Sequence, residues 1–520
     1  MSSFFSIKKF RENKMLSKIK NQYFIFFISF LIYFPIILWG GYFLDDNYRS
    51  IYGYYAWISD YRPIADFIYS ILGLSTDFVD TFPLNYIIQF FLISSFIIYF
   101  TNKIQEVFSL KEQLKNYISI SISFLFLSPL FIQNLYFRYD SLIMVISVII
   151  SCVPFFFNNK KIDFLCCIII LFTYQSSIVG YMFVVTLKIL ALNLGNHNRI
   201  NIYKEVFKSI LVFISSLLFF FLIIKLFITP NNYAKNHTTL ITSLDMLIEN
   251  IEFSLDVLKF SNSPLDYSLL IFSLIISILF IFRAIFNNFK IHKLDKIILS
   301  IGVIFILSIC ILNINIILLK PRLYPRTYIG FGFVLLLIGI SLTILMSSKD
   351  YILKKYIYFY KFLVICIFIM CLNIFYAGYN YIKETERYSE NLINNINYDL
   401  STLGVKKYKY IMAYGKINYP LRAKVLENRY PILKKALYDK MDLQKHRLFY
   451  DLLHNTGYEF DETGYQISSI KNSYLVHIND KPTIERIEYN ILVTNKNELF
   501  IYLKKSGVPV KVPLIGNRLD

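Results

Sequence analysis

The chain alternates between apolar runs about as long as a bilayer is thick and short polar gaps that carry lysines. A helix rises about 1.5 Å per residue, so about 20 apolar residues cross the hydrocarbon core. No water reaches that depth, and every backbone amide there must be satisfied inside a helix. Runs at 22–44, 83–101, 117–133, 139–157, 162–173, 175–194, 206–229, 266–286, 296–319, 327–347 and 356–377 predict about eleven spans. The pair at 162–194 is interrupted at "TYQSS", so it fits a re-entrant hairpin as well as two crossings.

Composition agrees with this reading. Of 520 residues, 56% are hydrophobic and only 17% charged, where a soluble domain carries roughly a quarter charged. The formal charge of +19 does not point to nucleic acid, because the lysines sit in the gaps between apolar runs. Basic gaps recur at every second loop: the N-terminus (Lys8, Lys9, Arg11, Lys14, Lys18, Lys20), "TNKIQEVFSLKEQLKNY", "NNKKID", "LGNHNRINIYKEVFKS", "NNFKIHKLDK" and "SSKDYILKKY". By the positive-inside bias these face the cytoplasm. An odd span count then places the first loop and residues 378–520 on the outer side. The basic N-terminus resembles a signal-peptide n-region, but the run behind it is long and lacks a cleavage site, which predicts a retained first span.

Residues 378–520 read as a compact extracytoplasmic α/β domain. "YKYIMAYG", "SYLVHIND" and "NELFIYLKK" have strand character, and "LRAKVLENRYPILKKALYDKMDL" that of an amphipathic helix. The fold class expected is therefore mostly α, a polytopic helix bundle followed by that domain. Cys152, Cys166, Cys167, Cys310, Cys366 and Cys371 all lie in apolar runs, and the six histidines are scattered. Neither set has metal-ligand or disulfide spacing. Walker, GxGxxG and GxSxG motifs are missing.

Three polar clusters fall on the predicted outer side, where basic residues should be scarce. They are Asp45, Asp46, Arg49, Asp60 and Arg62; Arg138 and Asp140 in "LYFRYDS"; and Lys320, Arg322 and Arg326 in "KPRLYPRTY". Any one alone fits a solvated helix flank. Three together suggest guanidinium groups for a phosphate and carboxylates for a general base. Gln175 suits either a sugar hydroxyl or an interhelical contact.

The blocks "YFLDDNYRSIYGYYAWISDYRPIADFIYSILGL", "FPLNYIIQFFLI", "SPLFIQNLYFRYDSLIMVISVIISCVPFF", "LFTYQSSIVGYM" and "KPRLYPRTYIGFG" span roughly residues 30 to 340. In order and spacing they resemble the bacterial serotype-converting O-antigen glucosyltransferases, the Gtr type-two family of the multispanning GT-C class. The resemblance implies an inner-membrane hexosyltransferase whose site and C-terminal domain face the periplasm. Its donor would be undecaprenyl-phosphate glucose or a related polyprenyl phosphosugar, and its acceptor a surface polysaccharide such as O-antigen. It implies Asp45 or Asp46 as the catalytic base, in an inverting displacement. Arg49, Arg62, Arg138, Asp140, Gln175, Arg322 and Arg326 would hold the donor. The stretch from Tyr48 to Trp57 would lie along the membrane surface. No cofactor is expected, although two adjacent carboxylates could hold a divalent metal. A lipid-linked sugar flippase should show paired half-repeats and broken mid-membrane helices; the charges cluster at the boundary instead. An O-antigen polymerase or ligase ranks third.

Overall fold

The computed structural model describes residues 2–43, 46, 49–50, 53–194, 202–229, 239–288, 293–347, 355–403, 407–408, 410–415, 420–437, 459–460, 482–493 and 498–504. These separate into two units: 1–43, 53–379 and 428–437 in one, and 44–52, 380–427 and 438–520 in the other.

The first unit is helical throughout. Its helices are α1 (Ser2–Trp39), α2 (Pro63–Gly73), α3 (Leu84–Val107), α4 (Lys115–Leu127), α5 (Ile132–Tyr136), α6 (Ser141–Cys152) and α7 (Lys160–Thr173). Then follow α8 (Ile178–Leu194), α9 (Ile202–Phe227), α10 (Leu244–Val257), α11 (Pro264–Asn288), α12 (Lys293–Leu312), α13 (Ile329–Ser347) and the first half of α14 (Ile357–Thr402). Among the described residues, six stretches are long and apolar enough to cross a bilayer: Ile19–Trp39, Leu84–Val107, Tyr203–Phe227, Pro264–Phe286, Ile329–Ser347 and Ile357–Thr402. The other predicted spans form shorter helices. Local chemistry cuts them: Pro129 forces Ser128 out of the helical region, Pro154 opens a 3-10 turn after α6, and Tyr174 is extended at the end of α7. The break foreseen at "TYQSS" therefore falls at Tyr174, between α7 and a 3-10 turn that leads into α8.

Helix α13 is the axis of this unit, with 94% of its apolar window buried against 11% for Tyr203–Phe227. Glycines let neighbouring backbones approach it. A Cβ at Gly330 would stand 2.5 Å from the Cys310 carbonyl oxygen, and one at Gly339 would overlap the Ser121 side chain. At the start of α7, Lys160 ties that helix to α9 by reaching Asp163 at 3.0 Å on its own helix and Glu205 at 2.6 Å and Ser209 at 2.9 Å on α9. The cysteines are free, and five of the six are buried.

In the second unit, α14 continues to Thr402 and presents Leu392, Ile393, Ile396 and Leu400 on one face. They pack on Tyr489, Ile491, Leu499, Ile501 and Leu503, alternate residues of two neighbouring strands. The four-stranded sheet runs in the order β2 (Tyr410–Gly415), β6 (Glu498–Leu503), β5 (Tyr489–Val493), β4 (Ile484–Glu485). β2 and β6 are parallel, and the other pairs antiparallel. β1 (Lys407–Tyr408) pairs in parallel with β3 (Glu459–Phe460). Thus "YKYIMAYG" and "NELFIYLKK" do form strands, whereas "SYLVHIND" lies outside the described residues. β3, β4 and β5 are additions to the sequence reading. The predicted amphipathic helix is broken at Tyr430–Pro431 into α15 (Leu421–Arg429) and α16 (Ile432–Ala436), since proline lacks the amide a continuing helix needs. By packing, α16 belongs to the first unit.

Candidate functional site

Arg62, Asp140, Gln175, Arg322 and Arg326, five of the polar residues singled out in the sequence, lie on or beside two turns of the helical unit that meet at Tyr174. The convergence starts with a tight turn over 57–62, in which the Asp60 and Arg62 amides donate to the Trp57 carbonyl at 3.1 and 2.8 Å. Asp66, in the first turn of α2, caps this turn by accepting from the Ile58 amide at 2.6 Å. Pro63 at the first position of α2 fixes the chain direction. Tyr61 sits in the left-handed region with φ 65°, a conformation that costs about 1 kcal/mol or more for a residue with a Cβ. Gln175 holds it there by donating to the Tyr61 carbonyl at 3.1 Å. Gln175 is thus the brace for the loop that presents Arg62.

Of the expected amphipathic stretch Tyr48–Trp57, residues 48, 51 and 52 lie outside the described residues, and 49–50 are helical. Residues 53–56 carry no regular structure, 57–61 form the turn, and the next helix is α2.

Trp57 is fully buried, stacked on Tyr69 with ring centroids 4.9 Å apart, and its indole N–H donates to Asp140. Asp140 precedes α6 without capping it. Its carboxylate turns toward the tryptophan and acts electrostatically on the buried Tyr174 phenol, together with Arg62 and Arg326. The Arg62 guanidinium lies 5.1 Å from the Tyr174 ring centroid. The Tyr174 hydroxyl donates to the Arg326 carbonyl at 2.9 Å. Tyr174, Arg62, Arg326 and Asp140 therefore share one locus.

The turn carrying Arg326 is clamped by α5. Gln133 accepts from the Arg326 amide at 3.0 Å, and Asn134 donates to its carbonyl at 3.1 Å. The Arg326 guanidinium lies 4.7 Å from the Phe137 ring centroid and 5.9 Å from that of Tyr324. Arg322 donates to the Tyr324 hydroxyl at 2.9 Å, so both arginines of "KPRLYPRTY" border the same tyrosine. Thr327 closes the turn by donating to the Arg322 and Tyr324 carbonyls at 3.1 and 2.8 Å.

Arg138 is held differently. Its side chain is 6% exposed and lies 3.4 Å from Asp80. Tyr42 and Phe82 sandwich the guanidinium at 4.2 and 4.0 Å. The Tyr42 hydroxyl donates to the other Asp80 oxygen at 2.9 Å. Arg62, Arg322 and Arg326 are each only partly buried.

Of the first-loop residues, Asp45 lies outside the described residues. Asp46 and Arg49 are buried and belong by packing to the second unit. Sequence reasoning passed over Asp80, Tyr174, Gln133 and Asn134. The signal for Asp80 was an acidic loop, "STDFVDTF", just ahead of Pro83; for Tyr174 it was the polar interruption inside "LFTYQSS". Gln133 and Asn134 carried none, because a polar pair in an apolar helix has many uses. Among the described residues, no three His, Cys, Asp or Glu side chains group at metal-holding distance.

The blocks that build this locus fall inside a match to the family model for glucosyl transferase GtrII, which covers residues 34–337, more than half of the chain. The chain belongs to the GtrII glucosyl transferase family. GtrII membership indicates a glycosyltransferase, and the six membrane-length helices agree with a membrane-embedded one. The chain is also similar to the "uncharacterized 55.3 kDa protein in gtrB 5′ region" of Salmonella phage P22, at 27% identity over 234 residues. That alignment covers 43% of this chain and 46% of the relative, so the chain spans about half the length of the curated relative it matches. No solved structure matches the chain.

Proposed function

We propose that this GtrII protein transfers glucose from a polyprenyl-phosphate donor to a surface polysaccharide such as O-antigen, on the outer face of a bacterial cytoplasmic membrane. The observation that carries the reading is the convergence of Arg62 and Arg326 on Tyr174, with Arg322 beside them through Tyr324. Partly exposed guanidiniums on a rigid polar turn suit a phosphate, because their planar donor array matches its oxygens. A phosphate carried on a lipid tail could reach that locus while the tail stays among membrane lipids.

In the proposed reaction an acceptor hydroxyl attacks the anomeric carbon as its proton passes to Asp45 or Asp46. The bond from that carbon to the phosphate oxygen breaks, and polyprenyl phosphate leaves with the electron pair. The arginines stabilise the charge developing on the leaving phosphate. Direct displacement inverts the sugar carbon. The first-loop carboxylates are proposed on the family resemblance of their block. As proposed, the reaction needs no cofactor; Asp45 and Asp46 could hold a divalent ion that would add positive charge at the site, and loss of turnover on chelation would show that one is required. The topology proposed is about eleven crossings by the apolar-length rule, with the C-terminal domain outside. Reporter fusions after residue 378 should then be active only outside the cytoplasm.

The deciding experiment is transfer of labelled glucose from a polyprenyl phosphate in membranes of expressing and non-expressing cells, with the surface glycan analysed alongside. Absence of transfer, together with an unchanged glycan, would overturn the proposal.

A further inference from the structure

The segment that carries Arg322 and Arg326 is gripped at both ends by one short helix to which no role has been given. Asn250 and Ser254 stand four residues apart on α10 and so face the same way. The Asn250 amide donates to the carbonyls of Ile316 and Leu318 at 2.9 and 3.0 Å, which uses both of its hydrogens. The Ser254 hydroxyl donates to the Leu312 carbonyl at 2.6 Å and accepts from the Tyr328 hydroxyl at 3.0 Å. Ahead of the helix, the Ile241 amide donates to the Ile317 carbonyl at 3.1 Å, and the Leu319 amide to the Thr239 carbonyl at 2.8 Å. Residues 312–319 lead into the arginine turn, and Tyr328 leaves it. Both stems are therefore fixed to 239–254. Within the turn, Asn313 (φ 73°) ends α12 and donates to Thr327 at 2.7 Å, which closes the loop on itself.

We infer that Asn250 and Ser254 are positioning residues for donor binding, acting through the backbone that presents Arg322 and Arg326. The inference rests on the reading of those arginines as phosphate ligands. The physical reason is geometric. Bidentate contact between a guanidinium and phosphate requires correct placement to within a fraction of an ångström. A loop holds such a register only when its own polar groups are satisfied by rigid neighbours. Ser254 is fully buried, so its two bonds are not exchanged with water. α10 is tied in turn to α16, through Lys435 donating to the Asp256 carboxylate at 2.7 Å.

The test uses the full-length protein in detergent, with polyprenyl-phosphate glucose as donor. N250D keeps the shape but turns a double donor toward two carbonyls into an acceptor. It should raise the donor KM about tenfold with kcat changed by less than about twofold, the signature of lost binding rather than lost chemistry. Amide hydrogen exchange over residues 313–328 should rise in the same variant. Y328F removes only the phenol bond and should raise KM about threefold. Combined with S254A it should cost no more than S254A alone, because both delete the same bond. An unchanged KM in N250D and Y328F, or unchanged exchange over 313–328, overturns the inference. If N250D does not fold, Y328F decides by the same two readouts. Should the unaltered protein transfer no sugar from any polyprenyl phosphate, the functional reading falls, and the exchange measurement alone then rules on the clamp.

Discussion

Replacing Arg138 separates two roles that its position in the sequence does not distinguish. The guanidinium lies between the rings of Tyr42 and Phe82, at 4.2 and 4.0 Å, and pairs with Asp80 at 3.4 Å. A cation over an aromatic face contributes about 1 kcal/mol when partly desolvated, and here there are two faces. The ion pair adds about 0.5 kcal/mol after discounting for Asp80, which is 28% exposed and screened by solvent. Arg138→Met keeps much of the stem volume and removes the charge, so the expected loss is about 2–3 kcal/mol of stability. The assay is the midpoint of thermally induced aggregation in detergent, read beside equilibrium binding of a labelled polyprenyl-phosphate sugar. We expect R138M to melt several degrees lower and still bind donor when assayed cold. R326A should show the reverse weighting: a smaller shift in melting, because its rings stand farther off at 4.7 and 5.9 Å from a partly exposed guanidinium, and binding weakened at least tenfold, since a phosphate loses its charge partner. An unchanged melting midpoint with lost donor binding in R138M would refute this reasoning and make Arg138 a ligand to the phosphate.

Asp46→Asn and Asp45→Asn test the proposed base: in one of them, turnover should fall by about two to four orders of magnitude while donor binding persists. Near-normal turnover in both and in the double variant would sink that assignment. Gly330→Ala should prevent accumulation of monodisperse protein, because its Cβ would meet the Cys310 backbone at 2.5 Å, whereas Gly302→Ala has nothing within 4 Å and should be silent. Similar behaviour of the two on size exclusion would refute the close-packing argument. In the second unit, a hydrogen bond from Arg486 holds the Asp399 carboxyl below its usual pKa. A depressed carboxyl pKa contributes stability that is present above the unfolded value, about 3.9, and is lost as pH falls through the folded value. Amide exchange over residues 489–503 should therefore rise as pH drops below about 4, measured at matched intrinsic exchange rate, and D399N should flatten that response. An unchanged pH response in D399N would show that this pair does not govern it.

Several features were legible in the sequence because they depend on neighbours in the chain. Apolar runs long enough to span a bilayer, the break inside "TYQSS", and the strands at 410–415 and 498–503 all follow from local hydropathy and backbone preference. Gln175 was legible only as a polar residue in need of a partner: its amide holds the carbonyl of Tyr61, a contact between two turns that neither expected alternative named. What the sequence could not express is which charges compete for the same partners. Arg62, Arg138 and Arg326 look alike as residues beside apolar runs. Only the fold places two aromatic rings and Asp80 around Arg138, and leaves Arg62 and Arg326 at the Tyr174 locus. The clamp of α10 on the arginine turn likewise joins residues more than sixty positions apart. Hydropathy is a property of each segment by itself, whereas a guanidinium's availability depends on what long-range packing brings against it.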